Sequence, residues 1–190
     1  MCLKMKGLSY LFLFSLVGAG CVHPIGISKR VSDIALTGVS TSEKSRIHSY
    51  SSELPPVSEY KMSAHTFQFP ISESFGSQVS ELFSTKYSKS SQVPEVIQVQ
   101  LHSFEFQHKF VQSAAQALFA GGAEVNVSAK MQFSVTSAER TEKISVSNDD
   151  VIQIPPGSDG NAEIIRAFKS VVDRLLSLAI IKLNKHLDQV

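Results

Sequence analysis

VNVSAKMQFSV, residues 125–135, decides how this chain folds. Val125, Val127, Ala129, Met131, Phe133 and Val135 alternate without a break against Asn126, Ser128, Lys130, Gln132 and Ser134. Successive side chains of a strand point to opposite faces, so this segment has one apolar face and one polar face. That pattern predicts a strand in an antiparallel sheet with one side buried and the other solvated. A helix would have to put half of the apolar residues into water.

Upstream, 96–106 (VIQVQLHSFEF) is a second strand, with Ile97, Val99 and Leu101 on one face. Its apolar phase then shifts to Phe104 and Phe106, which predicts a β-bulge near His102 and Ser103. Residues 62–69 form a further strand with Phe67 and Phe69 on one face, ended by Pro70. Phe75, Val79, Leu82 and Phe83 then recur at helical spacing and predict a helix over 72–87. Ser72 is the expected N-cap, and Glu73 suits the positive end of the helix dipole. Nearer the start, residues 31–39 have the composition of a first strand, whereas 40–58 reads as a Ser-rich loop, with a short strand at 46–50 as the alternative. Residues 88–94 form a loop.

Downstream, a turn at 138–141 leads to a strand over 142–146. Asn148-Asp149-Asp150 reads as a turn, 151–154 as a short edge strand, and Pro155-Pro156-Gly157 as its stop. The last element is a helix over 161–187. Ile164, Ile165, Phe168, Val171, Val172, Leu175, Leu176, Ala179, Leu183 and Leu187 form its apolar stripe. At ~1.5 Å per residue it spans roughly 40 Å, enough to cross a whole sheet face. Ser158 or Asp159 can cap it, and Lys182, Lys185 and His186 suit its negative end. The order of elements implies an α+β fold, an antiparallel sheet of about four to five strands with two helices (72–87 and 161–187) on one face.

Between the two strongest strands lies FVQSAAQALFAGG, residues 110–122, too long for a tight hairpin. Phe110, Ala114 and Leu118, with Val111, Ala115 and Phe119, repeat at helical spacing before Gly121 and Gly122. One reading is a short helix or hairpin tip tucked on the core. The other is an apolar flap whose Phe110, Val111, Leu118 and Phe119 touch a partner or a lipid.

The chain carries no enzyme signature. H-x-x-E-x-x-H at His102, Glu105 and His108 is not the helical metalloprotease motif. On a strand its two histidines would share the solvated face but lie roughly 20 Å apart. No nucleophile elbow, P-loop or dinucleotide fingerprint is present. GSDGN at 157–161 lacks the later ligands of a calcium loop and reads as the lead-in to a helix cap. The expectation is therefore a non-enzyme with no cofactor and no metal. The 18 basic and 17 acidic residues are nearly balanced, which leaves no concentrated basic surface for nucleic acid.

The N-terminus says where the protein works. Lys4 and Lys6 precede an uncharged apolar run over 7–17, which ends in Gly18-Ala19-Gly20 and Cys21. A basic start, a short apolar core and a small-residue end make a secretory signal, and the run falls short of the ~20 residues of a bilayer span. The cysteine directly after the small residues resembles a bacterial lipoprotein signal, although Gly18 stands where an aliphatic residue is usual. The resemblance implies cleavage before Cys21, a diacylglyceryl thioether on its sulfur and a palmitate-like N-acyl group. Several chains anchor stably where one does not. Cys2 leaves with the signal, so Cys21 is then the sole cysteine. Val22, where an aspartate would favour the inner membrane, implies outer-membrane sorting.

With the helix 161–187 and the strand 125–135, the layout resembles small Gram-negative envelope lipoproteins. These are the YajG-type, the transport-auxiliary and the lipopolysaccharide-assembly lipoproteins. The chain accordingly divides into a signal peptide (1–20), a tether (21–28) and one α+β periplasmic domain (29–190). The expected function is a non-enzymatic scaffold or accessory in envelope assembly or transport. It would be lipid-anchored at the periplasmic face of the outer membrane, with an envelope protein or lipid as partner. The alternatives are a soluble periplasmic location, a lipid- or small-ligand-binding module, and a periplasmic hydrolase with a dispersed triad.

Overall fold

The fold is taken from a computed structural model, which describes residues 20–27, 31, 34, 46–87, 95–111, 122–138, 140–155 and 159–189. The strands are β1 (Cys21–Pro24), β2 (Arg46–Ser52), β3 (Ser58–Met62), β4 (His65–Phe69), β5 (Glu95–Phe110), β6 (Ala123–Thr136) and β7 (Thr141–Ile154). The helices are α1 (Ile71–Lys86) and α2 (Gly160–Gln189). The architecture is α+β. A four-stranded sheet has the order β2-β5-β6-β7, and a three-stranded sheet has the order β1-β4-β3.

Both sheets are mixed, which corrects the all-antiparallel expectation. β2 runs parallel to β5, and β1 runs parallel to β4. The connection from β2 to β5 contains β3, β4 and α1, long enough to bring the chain back in the same direction. The expected bulge is present: Leu101 faces Phe133 and Ser103 faces Gln132, which leaves His102 as the extra residue.

β6 sits between β5 and β7 and buries Val125, Val127, Ala129, Met131, Phe133 and Val135. Against that face lie the buried Phe168, Val171, Val172, Leu175, Leu176, Ala179 and Leu183 of α2, which crosses β6 and β7. A ladder of polar contacts fixes the crossing. Lys182 Nζ donates to Ser145 O at 2.9 Å, Asn148 Nδ2 to Val171 O at 3.2 Å, and Arg174 Nη1 to Asp150 Oδ2 at 3.0 Å. These contacts explain a second correction, because Asn148, Asp149 and Asp150 lie within one continuous strand rather than in a turn.

Other boundaries also shift. Residues 46–52 form a strand, the alternative reading. Ser63 and Ala64 turn the chain between β3 and β4, with Ser63 at φ 53°. Pro70, not Ser72, precedes the first helical residue of α1, and its fixed φ suits that place. Asp159 caps α2 as expected, its Oδ1 accepting from the amides of Asn161 and Ala162. Val31 is in 3₁₀ conformation and Ile34 in a bend rather than a strand, and the rest of that predicted strand, 32–33 and 35–39, falls outside the described residues. Part of the expected tether is built into the fold: Cys21–Pro24 is a strand and Ile25 is buried.

The C-terminal end of α2 is held by cations from elsewhere in the chain. Lys86 Nζ, on a buried side chain, donates to Asn184 O and Asn184 Oδ1 and pairs with Asp188. Arg46 donates to Leu187 O at 3.1 Å, to Tyr87 Oη at 3.2 Å and to Glu95 Oε2 at 2.8 Å. Cations favour a helix C-terminus, and here burial strengthens the effect.

α1 meets β2 through a glycine. A Cβ at Gly76 would lie 2.6 Å from Tyr50 Cε1 and 2.7 Å from Cδ1. The Tyr50 ring cannot swing away freely, because its hydroxyl donates to Ser72 O at 2.8 Å and its edge meets Phe75. Gly76→Ala should therefore destabilise the domain by about 1–3 kcal/mol through overpacking. An exposed helical glycine would instead gain about 1 kcal/mol on the same change. Urea titration with thermal melting reads the sign, and a stabilised variant would contradict the packing.

Candidate functional site

Cys21 begins β1 and is exposed. Its backbone N–H donates to Ala64 O at 3.0 Å, and Ile25 N–H closes the other end of the strand on Gln68 O at 2.8 Å. The residue expected to carry the lipid is thus attached directly to the domain, with no slack between them.

Two histidines flank it. His23 and His65 are neighbours across the β1–β4 pair and share a hydrogen bond, Nε2 to Nδ1, of 2.9 Å. Their ligating nitrogens and the Cys21 sulfur lie within 4.8 Å of one another, a grouping that no sequence spacing announced. A zinc ion needs a thiolate there, and a tetrahedral site would have to break the direct His23–His65 bond. A thioether-linked Cys21 has no thiolate, so anchoring and metal binding exclude each other at this sulfur.

Behind the histidines is an aromatic wall. His23 stacks on Phe67 at 5.2 Å, Phe67 meets Phe168 at 4.8 Å, and Phe168 meets Phe106 at 4.7 Å. Tyr60 and His108 share a short hydrogen bond beside them. Burial holds the His108 imidazole below its ordinary range and pushes the Tyr60 phenol above its own. The His108 ring also meets Phe110 edge-on at 5.4 Å. Phe110 and Val111 are 46% and 47% exposed, and Val22, next to Cys21, is 55% exposed. Leu118 and Phe119, the other two predicted contact residues, lie outside the described residues.

The bulge separates the two histidines that the sequence placed on one solvated face. His108 points inward to Tyr60 and Phe168, whereas His102 points to the outer face. There Glu53 Oε1 lies 2.8 Å from His102 Nδ1, and His102 Nε2 lies 2.9 Å from Ser134 Oγ. An open cleft of about 540 Å³ borders the group, lined by Glu53, His102, Gln132, Lys143 and Ser145 among others. A second open depression of about 530 Å³ lies further along the outer face, at Asn126, Ser128, Asp149 and Val151. The sequence reading put His102, Asn126, Ser128, Gln132 and Ser134 on polar strand faces, Glu53 in a loop and Asp149 in a turn, and could not pair them.

No known protein family matches the chain in sequence, and no curated protein matches it. Among solved structures it is similar to a minor lipoprotein from Acinetobacter baumannii (TM-score 0.41, 10% identity), over 72% of this chain and 92% of that one. It is similar to the rare lipoprotein B from Shewanella oneidensis (TM-score 0.41, 13% identity), over 73% and 98%. A DUF330 protein from Xanthomonas campestris is similar with a TM-score of 0.42 and 9% identity, over 89% and 99%. These are loose likenesses of layout, and the functional reading rests on the residues of this chain.

The lowered His108 makes stability depend on pH. An unfolded histidine takes up its proton near pH 6.5. The folded one resists until lower pH, so the unfolded chain binds more protons in between and stability falls as pH drops. His48, lowered for the same reason, adds to the slope. The thermal midpoint should decline from about pH 7 to about pH 5, and His108→Gln should flatten part of that decline. An unchanged slope in the variant would refute the assignment.

Proposed function

We propose that the mature protein begins at Cys21 and works as a lipid-anchored, non-enzymatic accessory domain of the bacterial envelope, on the periplasmic face of the outer membrane. The observation that carries this reading is Cys21 itself. It follows a signal-like segment, stands exposed, and is the first residue of a strand paired into the domain. A thioether-linked lipid there holds the domain flush against the headgroups rather than on a leash. The core favours a scaffold over a carrier. Ile97, Val99, Leu101, Met131, Phe133, Phe168 and Leu175 are wholly buried, and the clefts at Glu53 and at Asn126 lie open on the sheet surface.

Contacts with an envelope partner then fall to exposed apolar residues near the anchored end. Phe110 and Val111 lead into the 112–121 segment that contains Leu118 and Phe119. Scattered exposed apolar residues are ordinary, so the reading rests on Phe110 and Val111, adjacent in the chain and both half exposed.

Cys21→Ser should move the protein from the membrane fraction to the soluble fraction, and unchanged membrane retention would overturn the anchor. A Phe110→Ser, Val111→Ser double variant should melt within about 0.5–1 kcal/mol of wild type, because both side chains are half exposed. It should nevertheless recover less of any protein crosslinked to the wild type in whole envelopes. Equal recovery would exclude this surface.

A further inference from the structure

β7 is the outermost strand of the four-stranded sheet, 14 residues long, with no proline and no break in its register to β6. Ser137 N–H donates to Arg140 O at 2.9 Å, and this hydrogen-bonded pair starts the alternation of the ladder. Even-numbered residues of β7 therefore bond to β6, and odd-numbered ones direct their N–H and C=O away from it. Two of the outward groups are met by side chains: Ser145 O accepts from Lys182 Nζ, and Val151 N–H donates to Asp150 Oδ1 at 3.0 Å. Among the described residues nothing bonds the outward groups of Ser147 and Asp149 between them. Natural sheets blunt so long an edge with a bulge or a proline, and β7 has neither.

The side chains on that edge are self-complementary. Lys143 and Asp149 are exposed, have no ion-pair partner among the described residues, and stand symmetrically about Val146. If two antiparallel copies of β7 pair with Val146 facing Val146, Lys143 of each copy comes opposite Asp149 of the other, and Ser145 comes opposite Ser147. A slip of two residues either way loses both charge pairs. On the helix side this register faces Glu142 to Asp150, but each already has its own cation, Arg140 at 3.5 Å and Arg174 at 3.0 Å.

α2 adds an apolar flank. Leu178 lies one turn from both Arg174 and Lys182, the residues that reach across to β7, and it is 38% exposed. Ile181, beside it, is 40% exposed.

We infer that β7 and this flank of α2 form an isologous interface, in which two copies of the chain pair their β7 edges antiparallel about Val146. Main-chain hydrogen bonds join the two sheets into one. The reciprocal Lys143–Asp149 pairs set the register, and Leu178 and Ile181 turn toward the same residues of the other copy. The two-fold axis is normal to the sheet. The β1-β4-β3 sheet packs on the helix side, Phe67 against Phe168, so both copies of the sheet that carries Cys21 lie on one side, as a single membrane requires.

The test is sedimentation of the full-length protein, purified in a density-matched detergent, beside Lys143→Asp and Asp149→Lys. Both positions are exposed, so both variants should keep the fold. Wild type should sediment as a dimer. Each variant alone sets like charges opposite one another at both ends of the interface, and its dimer dissociation constant should rise by roughly 10-fold. An equimolar mixture of the two variants restores unlike charges at both ends and should recover the dimer, which neither a misfolded variant nor a different interface would do. A monomeric wild type, its edge left to some other protein, overturns the inference. So do single variants that dimerise as tightly as wild type, or a mixture no better than its components.

Discussion

Period-two alternation along β6 is the constraint on which the rest of this structure depends. β6 is paired on both edges, so slipping by one residue would turn Val125, Val127, Met131, Phe133 and Val135 to solvent at once. Because that register is fixed, one face of the four-stranded sheet takes both of the described helices. The polar contacts from α2 to Ser145, Asn148 and Asp150 then set the line of the helix along β7. The bulge at His102 is the one place where the alternation of β5 changes phase. It divides that strand into a part facing α2 with Ile97, Val99 and Leu101 and a part facing Tyr60 and Phe168 with Phe106 and His108.

What the sequence disclosed follows from where apolar periodicity is strong. β6, the bulge in β5 and both helices are legible because burial there is apolar and regular. β2 was read mainly as loop because its pattern is inverted. Arg46, His48 and Tyr50 point inward, while Ile47 points out and is exposed. Those inward polar groups are satisfied by Glu95, Tyr87 and Leu187, by Ser80, and by Ser72 respectively. β7 was split at Asn148-Asp149-Asp150 for a related reason, since residues with turn propensity serve there as helix anchors. β1, with four residues and a proline, has no periodicity to read, and its pairing with β4 is parallel and distant.

The sites show the same division. The proposal at Cys21 came from a local pattern, a signal-like segment followed directly by a cysteine. The Glu53–His102–Ser134 group was not legible, because its members are separated by 49 and 32 positions and meet only through the sheet register and the bulge. The nearness of His23 and His65 to Cys21 was hidden with β1. That nearness bears on the proposed anchor, since one sulfur cannot be both a thioether and a metal-binding thiolate.

The central claim is that the lipid-bearing residue is itself part of the folded domain. Hydrogen exchange, read by mass spectrometry on protein extracted from membranes, tests it in one measurement. The account predicts an N-terminal peptide that starts at Cys21, carries the mass of its acyl chains, and exchanges slowly at Ile25, whose amide is bonded to Gln68. An unmodified N-terminus, or exchange through Ile25 as fast as in an unstructured chain, would contradict it.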